Sequence, residues 1–284
     1  AGGAIMTEAE WTNPRTAFNT VASSWIWSLQ MSTDTVLGNL HAFAAHMCPE
    51  ATYGYTPLAQ PGVTPAMYNR MSRTDWRKSV ILSPNPSYED IKGRTLYTEE
   101  EFNAAAFNPY VSFKFRPAGG VYDDKNIGAA TDYPIMRVEE MHFLKAEAAL
   151  HTKGLATASG LLEDIVKTRN SEYACKANDA ESFMKEYNFQ KQVEFWGEGV
   201  NYFDAKRLEL GIHRGYFGTN CERYQQALVV EGVHLGWTPG WNQAELNANQ
   251  AIYHYNNSYT NPNTYYFYKS NDEMRPFYGE PLED

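Results

Sequence analysis

The chain has 284 residues with 24 basic and 34 acidic side chains, which gives a net charge of −10 at neutral pH. This balance argues against a protein that binds the phosphate backbone of nucleic acids or that binds an anionic membrane by charge, because both kinds of protein need a basic surface. The 20 Tyr, 14 Phe and 7 Trp residues are too many large apolar groups for a disordered chain. No run of 18 apolar residues occurs, and the opening AGGAIMTEAEW lacks the pattern of a signal peptide.

Residues 1–130 are predicted to form an irregular, aromatic-rich segment with ligand-facing loops, because Pro and Gly recur too often for long helices. A helix is expected at 36–47, and a second one at 99–106 follows Thr98 and an acidic first turn. The alternation of apolar and polar residues over 110–115 (YVSFKF) predicts a short strand.

Residues 131–211 have the periodicity of amphipathic helices. Gly154 is expected to end the first of these helices, and Asp179 is a candidate N-cap for the third. The predicted helices are at 137–152, 157–169, 180–197 and 200–210. Together they predict two stacked hairpins of tetratricopeptide size. The expected fold is therefore mainly α, with tetratricopeptide-like helical hairpins, long irregular loops and little strand.

Residues 212–284 return to loop-like sequence, with one helix predicted at 241–252 (WNQAELNANQAI). The stretch 253–268 is rich in Tyr and Asn, a composition also found in aggregation-prone segments. Its Pro and its aromatic residues favour an ordered coat instead. We expect residues 212–284 to form a loop-rich C-terminal coat packed on the helices, within one domain overall.

Three cysteines, Cys48, Cys175 and Cys221, contain no CxxC pair and match neither a full disulfide framework nor a zinc site. A bridge between Cys175 and Cys221 and a set of free thiols both remain open. Asp123 and Asp124 follow two glycines in a predicted turn, which leaves calcium ligation open as well. No metal site and no cofactor are predicted.

Glu194 and Glu198 are four residues apart, so a helix would place both carboxylates on one face, where like charges repel. Cations should lie opposite them, and Arg137 and Arg207 are the candidates. The hypothesis is a partly buried ion network that joins the two hairpins. The alternative is the acid–base pair of a glycoside hydrolase, but a neighbouring arginine would lower both pKa values and remove the acid.

Aromatic residues in the loops are the candidate ligand-binding groups. Tyrosine combines a flat apolar ring with a polar hydroxyl. If the ligand is a sugar, as the family resemblance described below implies, such rings would pack on its C–H face and the hydroxyl would reach its polar rim. Tyr53 and Tyr55 flank Gly54 in a segment without helix or strand pattern, and Tyr68 and Tyr88 lie in similar sequence. The alternative interpretation is that these rings fill a small irregular core.

Two blocks, DYPIMRVEEMHFLKAEA at 132–148 and QKQVEFWGEGVNYFDAKR at 190–207, resemble the SusD/RagB family of outer-membrane nutrient-binding lipoproteins. The positions that match the family pattern are Pro134, Arg137, Glu140, Ala146, Glu147 and Ala148 in the first block, and Glu194, Glu198, Gly199, Phe203, Asp204 and Arg207 in the second. The stretch WTNPRTAFNTVASSWIWSLQ at 11–30 and the tripeptide Asp75-Trp76-Arg77 are also similar to the family. The resemblance covers about 11–284 and corresponds to the C-terminal half of a family member.

The resemblance implies a scaffold of tetratricopeptide-like hairpins decorated by loops, a glycan ligand and no catalysis. It also implies a partner, a SusC-type TonB-dependent transporter barrel, and a surface location on the outer membrane through a lipid anchor in an N-terminal segment outside this chain. The loop that contains Tyr53 and Tyr55 is where this half would contribute a ring to the ligand. Trp25 and Trp27 match a family motif and are interpreted as packing residues.

Two other function classes stay open on composition alone. One is a helical glycoside hydrolase, which needs two carboxylates facing a cleft. The other is a tetratricopeptide-like scaffold that binds peptides in a helical groove.

Overall fold

The computed structural model describes residues 3–36, 40–221, 229–230 and 243–249. The chain divides into two units, one that runs to Glu198 and one that begins at Gly199. Most regular structure in the described residues is helical, with little strand, so the expected mainly α fold is confirmed. No helix in this part of the chain is both long enough and apolar enough to cross a bilayer.

Short helices separated by loops make up the first part of the first unit. They are α1 (Glu8–Trp11), α2 (Ala44–Met47), α3 (Pro65–Arg70), α4 (Tyr88–Ile91), α5 (Glu99–Ala105) and α6 (Lys125–Gly128). The helix expected at 99–106 is confirmed as α5, which begins with a capping box between Thr98 and Glu101. The helix expected at 36–47 is present only as α2, and residues 37–39 lie outside the described part.

The longer helices follow, and their positions agree with the predicted ones. They are α7 (Val138–Lys153), α8 (Leu155–Val166), α9 (Ala180–Glu194) and, in the second unit, α10 (Val200–Arg207). Gly154 has a φ of +86°, which suits glycine, and lets the chain reverse so that α7 and α8 form a hairpin. Asp179 caps α9, because its side chain accepts the Ser182 N–H at 2.7 Å. Helix α9 packs on both members of the hairpin.

A two-stranded antiparallel sheet in the first unit was not expected from the sequence. Strand β1 (Trp25–Leu29) pairs with β2 (Tyr133–Arg137), so that Trp27 lies opposite Met136 and Leu29 opposite Tyr133. The register shifts on both sides of Trp27. The sheet brings the N-terminal loops to the start of α7.

The prediction of a strand at 110–115 is wrong. Only isolated bridges occur there, from Val111 to Gly62 and from Ser112 to Ile81. Ser112 and Lys114 are as buried as their apolar neighbours, so the alternation does not separate a core face from a solvent face. The segment instead crosses the interior, with polar side chains that find partners there.

The second unit contains α10, a short pairing of β3 (Ile212–His213) with β4 (Val229–Val230), and α11 (Gln243–Ala248). Helix α11 is the helix expected at 241–252, over a shorter range. The segment 253–268 lies outside the described residues.

Aromatic rings form a large part of the core of the irregular segment. Trp11 meets Phe18 edge to face at a centroid distance of 4.7 Å, and Phe18 meets Phe115 at 5.5 Å. Phe107 and Phe113 make a similar contact at 5.1 Å. These geometries are the ones that aromatic pairs favour. The segment therefore has a true hydrophobic core despite its lack of long helices.

Candidate functional site

The sheet exposes apolar side chains. Trp27 is 61% exposed, and Ile26 and Leu29 on the same strand are about half exposed. Met136, the residue opposite Trp27, is also exposed. Such an apolar group on a monomer surface is typical of a ligand or partner site.

The exposure of Trp27 depends on the irregular register of β1. In a regular strand, residues two apart face the same side, so Trp25 and Trp27 would be buried or exposed together. The register shifts between them, and Trp25 is only 6% exposed. The interpretation as packing residues is therefore confirmed for Trp25 and wrong for Trp27. In the sequence, the indication of strand β1 is the run WIWSL, because its residue types favour a strand.

Tyr55 and Tyr53 have different surroundings. Tyr55 is 42% exposed, and its ring lies 5.0 Å from the ring of His46 on α2. Gly54, between Tyr53 and Tyr55, has a φ of +74°, and the Tyr55 N–H donates to the Ala45 carbonyl at 2.8 Å. This turn, fixed against α2, directs the Tyr55 ring toward solvent.

Tyr53 is only 8% exposed and belongs to the hydrophobic core. Its hydroxyl makes no hydrogen bond to any described residue, and burial raises its pKa. The structure therefore corrects the expectation of an exposed Tyr53, because the turn at Gly54 packs on α2 and leaves this ring in the core. The core-filling alternative describes this residue.

Tyr68 and Tyr88 are both half-buried. Tyr68 meets Tyr110 edge to face at 5.3 Å, and the Lys78 ammonium lies 4.2 Å from its ring centroid, on the wall of a cleft. Tyr88 packs on the Phe102 ring at 6.0 Å, against the main core. The four tyrosines thus divide into an exposed ring, a cleft ring and two rings in contact with the core.

A buried network of charges joins the helices to the loop-rich segment. It has four cations and four anions, each with little solvent exposure. They are Arg77, Lys114, Arg137 and Arg169, with Asp75, Glu139, Glu194 and Glu198. The balance of opposite charges offsets part of the desolvation cost that each buried ion carries.

Glu194, at the end of α9, is fully buried and lies among three guanidinium groups. Its Oε1 is 3.0 Å from Arg169 Nη2 and 3.3 Å from Arg137 Nη1, and its Oε2 is 3.1 Å from Arg77 Nη1. Arg137 also pairs with Glu198 at 2.7 Å. Lys114 donates to Glu198 and to the Glu194 carbonyl.

Arg207 was expected to face these carboxylates. It lies in the second unit, where it forms an ion pair with Asp204 on its own helix at 2.8 Å, and its place in the network stays a prediction. Arg77, Arg169 and Lys114 were not predicted as members. They come from segments distant in the sequence, such as Arg77 at 117 positions from Glu194. The network therefore joins α9 to the α7–α8 hairpin through Arg137 and Arg169. It also reaches the loop-rich segment through Arg77 and Lys114, which was not predicted.

The electrostatics of Glu194 argue against an acid–base pair. Burial alone would raise the pKa of this carboxyl, but the charges of Arg169, Arg137 and Arg77 outweigh it and hold the pKa well below its usual value. A carboxylate that stays ionised and is shielded from solvent cannot protonate a glycosidic oxygen.

Acid should therefore destabilise the fold through Glu194. The unfolded carboxyl takes up a proton near pH 4.5, whereas the folded one resists until lower pH, so stability falls as the pH drops through this window. We expect the urea midpoint to decrease between about pH 5 and pH 3, and Glu194→Gln to make that decrease shallower. An equally steep decrease in the variant would contradict this assignment.

The described residues contain no cluster of three metal-ligating side chains, and Cys48, Cys175 and Cys221 form no disulfide bond there. Asp124 caps α6, because its carboxylate accepts the Asn126 N–H at 2.8 Å. This cap gives Asp124 a structural role at the start of α6.

Comparison of this sequence with known protein families identifies one that matches. The model of the SusD family (SusD/RagB) matches residues 63–281. No curated protein matches the sequence. Solved structures with similar folds include three that are described here, each at low sequence identity. A SusD-like carbohydrate binding protein from Bacteroides vulgatus is 18% identical, with a TM-score of 0.62 over 88% of this chain and 52% of that one.

A SusD superfamily protein from Bacteroides thetaiotaomicron is 19% identical, with a TM-score of 0.61 over 88% of this chain and 52% of that one. Surface glycan-binding protein A from the same species is 14% identical, with a TM-score of 0.57 over 89% of this chain and 55% of that one. The chain thus spans about half the length of these solved relatives. Because the family model covers most of the sequence, this chain belongs to the SusD family.

Proposed function

We propose that this chain binds glycan without cleaving it, through the exposed aromatic residues Trp27 and Tyr55. The observation that carries the proposal is the exposure of Trp27, a large ring held in solvent by a strand, at 61%. Because the strand already holds the backbone in place, the protein loses little further conformational entropy when a sugar packs on such a ring. Met136 adds apolar surface beside Trp27, and the His46 ring lies beside Tyr55.

Family membership supports the glycan ligand, and two of the solved relatives are themselves described as carbohydrate binding or glycan binding. On the same basis we propose that the protein works at the outer-membrane surface as a lipoprotein, beside a SusC-type TonB-dependent transporter. Its affinity for oligosaccharide should be modest, about millimolar to tens of micromolar, because import requires release.

Titration calorimetry with a panel of neutral oligosaccharides tests the proposal. For a ligand that binds, Trp27→Ala and Tyr55→Ala should each weaken binding about tenfold, because each removes a stacking face. Phe203→Ala is the control, since Phe203 is an aromatic of similar exposure (68%) in the second unit. The proposal fails if no oligosaccharide binds, or if both variants bind as tightly as the control.

A further inference from the structure

Strand β1, which presents Trp27 to solvent, needs support from outside its own sheet. The sheet has only two strands, and its register shifts on both sides of Trp27. A two-stranded sheet is at best marginally stable in water, and each irregularity interrupts the ladder of hydrogen bonds. The ladder by itself would therefore leave the Trp27 ring poorly fixed.

One carboxylate supports both ends of β1. Asp132 directly precedes β2, and its Oδ2 accepts the Val21 N–H at 3.2 Å, before β1 begins. Its Oδ1 accepts the Met31 N–H at 2.9 Å, after β1 ends. These two hydrogen bonds, which we call the Asp132 clamp, close the base of the segment 21–31 that contains Trp27.

Asp132 is itself anchored to the interior of the first unit. Its N–H donates to the Asn19 carbonyl at 3.0 Å. Asn19 is buried, and its side-chain amide donates to the carbonyls of Arg15 and Pro117 at 2.7 and 2.6 Å. Binding residues keep a precise geometry when such supporting hydrogen bonds hold the groups behind them. The Asp132 clamp therefore connects β1 to a well-fixed part of the protein.

The Asp132 clamp restrains β1 more than it stabilises the whole fold. Val21 is 47% exposed and Met31 is half-buried, so water can replace the carboxylate at both N–H groups. Loss of the clamp should therefore leave few buried groups without a partner. It would free β1 to change its register, which decides which side chains face outward. A freed strand also loses conformational entropy when a ligand orders it again.

We propose that Asp132 is a positioning residue for ligand binding, because it holds β1 in the irregular register that keeps the Trp27 ring in solvent. Its effect on glycan affinity rests on the proposed function. Its effect on the position of the Trp27 ring rests on the Asp132 clamp alone and needs no ligand.

The first test is fluorine NMR of the protein labelled with 5-fluorotryptophan, where the Trp27 resonance is the one missing from Trp27→Phe. Asp132→Ala should shift or broaden this resonance, because the ring leaves its fixed surroundings. Asp132→Asn keeps one acceptor oxygen and should have a smaller effect. Asp34→Ala is the matched control, because Asp34 is an exposed carboxylate in the turn after Met31 and takes no part in the clamp. An unchanged Trp27 resonance in both Asp132 variants would overturn the proposal.

The second test is a double-mutant cycle, measured by calorimetry with a neutral oligosaccharide that binds the unchanged protein. Asp132→Ala should weaken binding about threefold to tenfold, but it should have no further effect in a protein that already carries Trp27→Ala. A general loss of structure would weaken binding in both backgrounds, and that result would overturn the positioning role. Circular dichroism checks that each variant is folded. If Trp27→Ala leaves binding unchanged, the proposed function fails at Trp27, and the fluorine measurement by itself decides whether Asp132 positions the ring.

Discussion

Replacing Glu194 by glutamine should lower the free energy of unfolding by about 3–5 kcal/mol, the usual loss when one partner of a buried ion pair is removed. The variant keeps the size of the side chain but leaves Arg77, Arg137 and Arg169 facing a neutral amide in the interior. The cost is large because these cations remain buried after their shared anion is gone. Urea denaturation, followed by circular dichroism, measures it.

Glu181→Gln is the matched control. Glu181 also lies on α9 and pairs with Lys185 at 2.8 Å, but its side chain is 79% exposed. Exposed pairs of this kind contribute little to stability, so the urea midpoint should not change measurably. If Glu194→Gln lost no more than this control, the network would not contribute to stability.

Replacing Gly54 by alanine should destabilise the protein by about 2–5 kcal/mol, through backbone strain and overpacking. The residue has a φ of +74°, and an added Cβ would overlap the Ala45 Cβ and lie 2.8 Å from the Ala45 carbonyl oxygen. The turn must therefore move away from α2, and Tyr55 moves with it. Oligosaccharide affinity at Tyr55 should decrease in the same variant.

Gly93→Ala separates the two causes. Gly93 has almost the same φ, +76°, but no atom lies within 4 Å of its added Cβ. Only the backbone strain remains, so the loss should be about 1–2 kcal/mol. Thermal or urea unfolding of both variants gives the comparison. Equal losses would show that the contact with Ala45 has no part in the stability of the turn.

Contacts between residues far apart in the sequence, among aromatic rings and among charged side chains, were predicted less well than the positions of helices. Helix positions follow from local signals, such as the Thr98 and Asp179 caps and the apolar periodicity, because a helix pairs residues only four apart. The ion network was predicted from the Glu194–Glu198 spacing, but no local sequence pattern at Arg77 or Arg169 relates these residues to Glu194. Their partnership depends on how distant segments pack.

The amino-acid sequence alone determined the helical scaffold, the family and the need for cations beside Glu194, because periodicity, capping and residue spacing are local properties. Only the tertiary structure decided which aromatic rings face solvent. Trp27 is exposed through a register shift against β2, and Tyr53 is buried because the turn at Gly54 packs on α2. Both outcomes depend on contacts between segments far apart in the chain, which the residue types at each position do not specify.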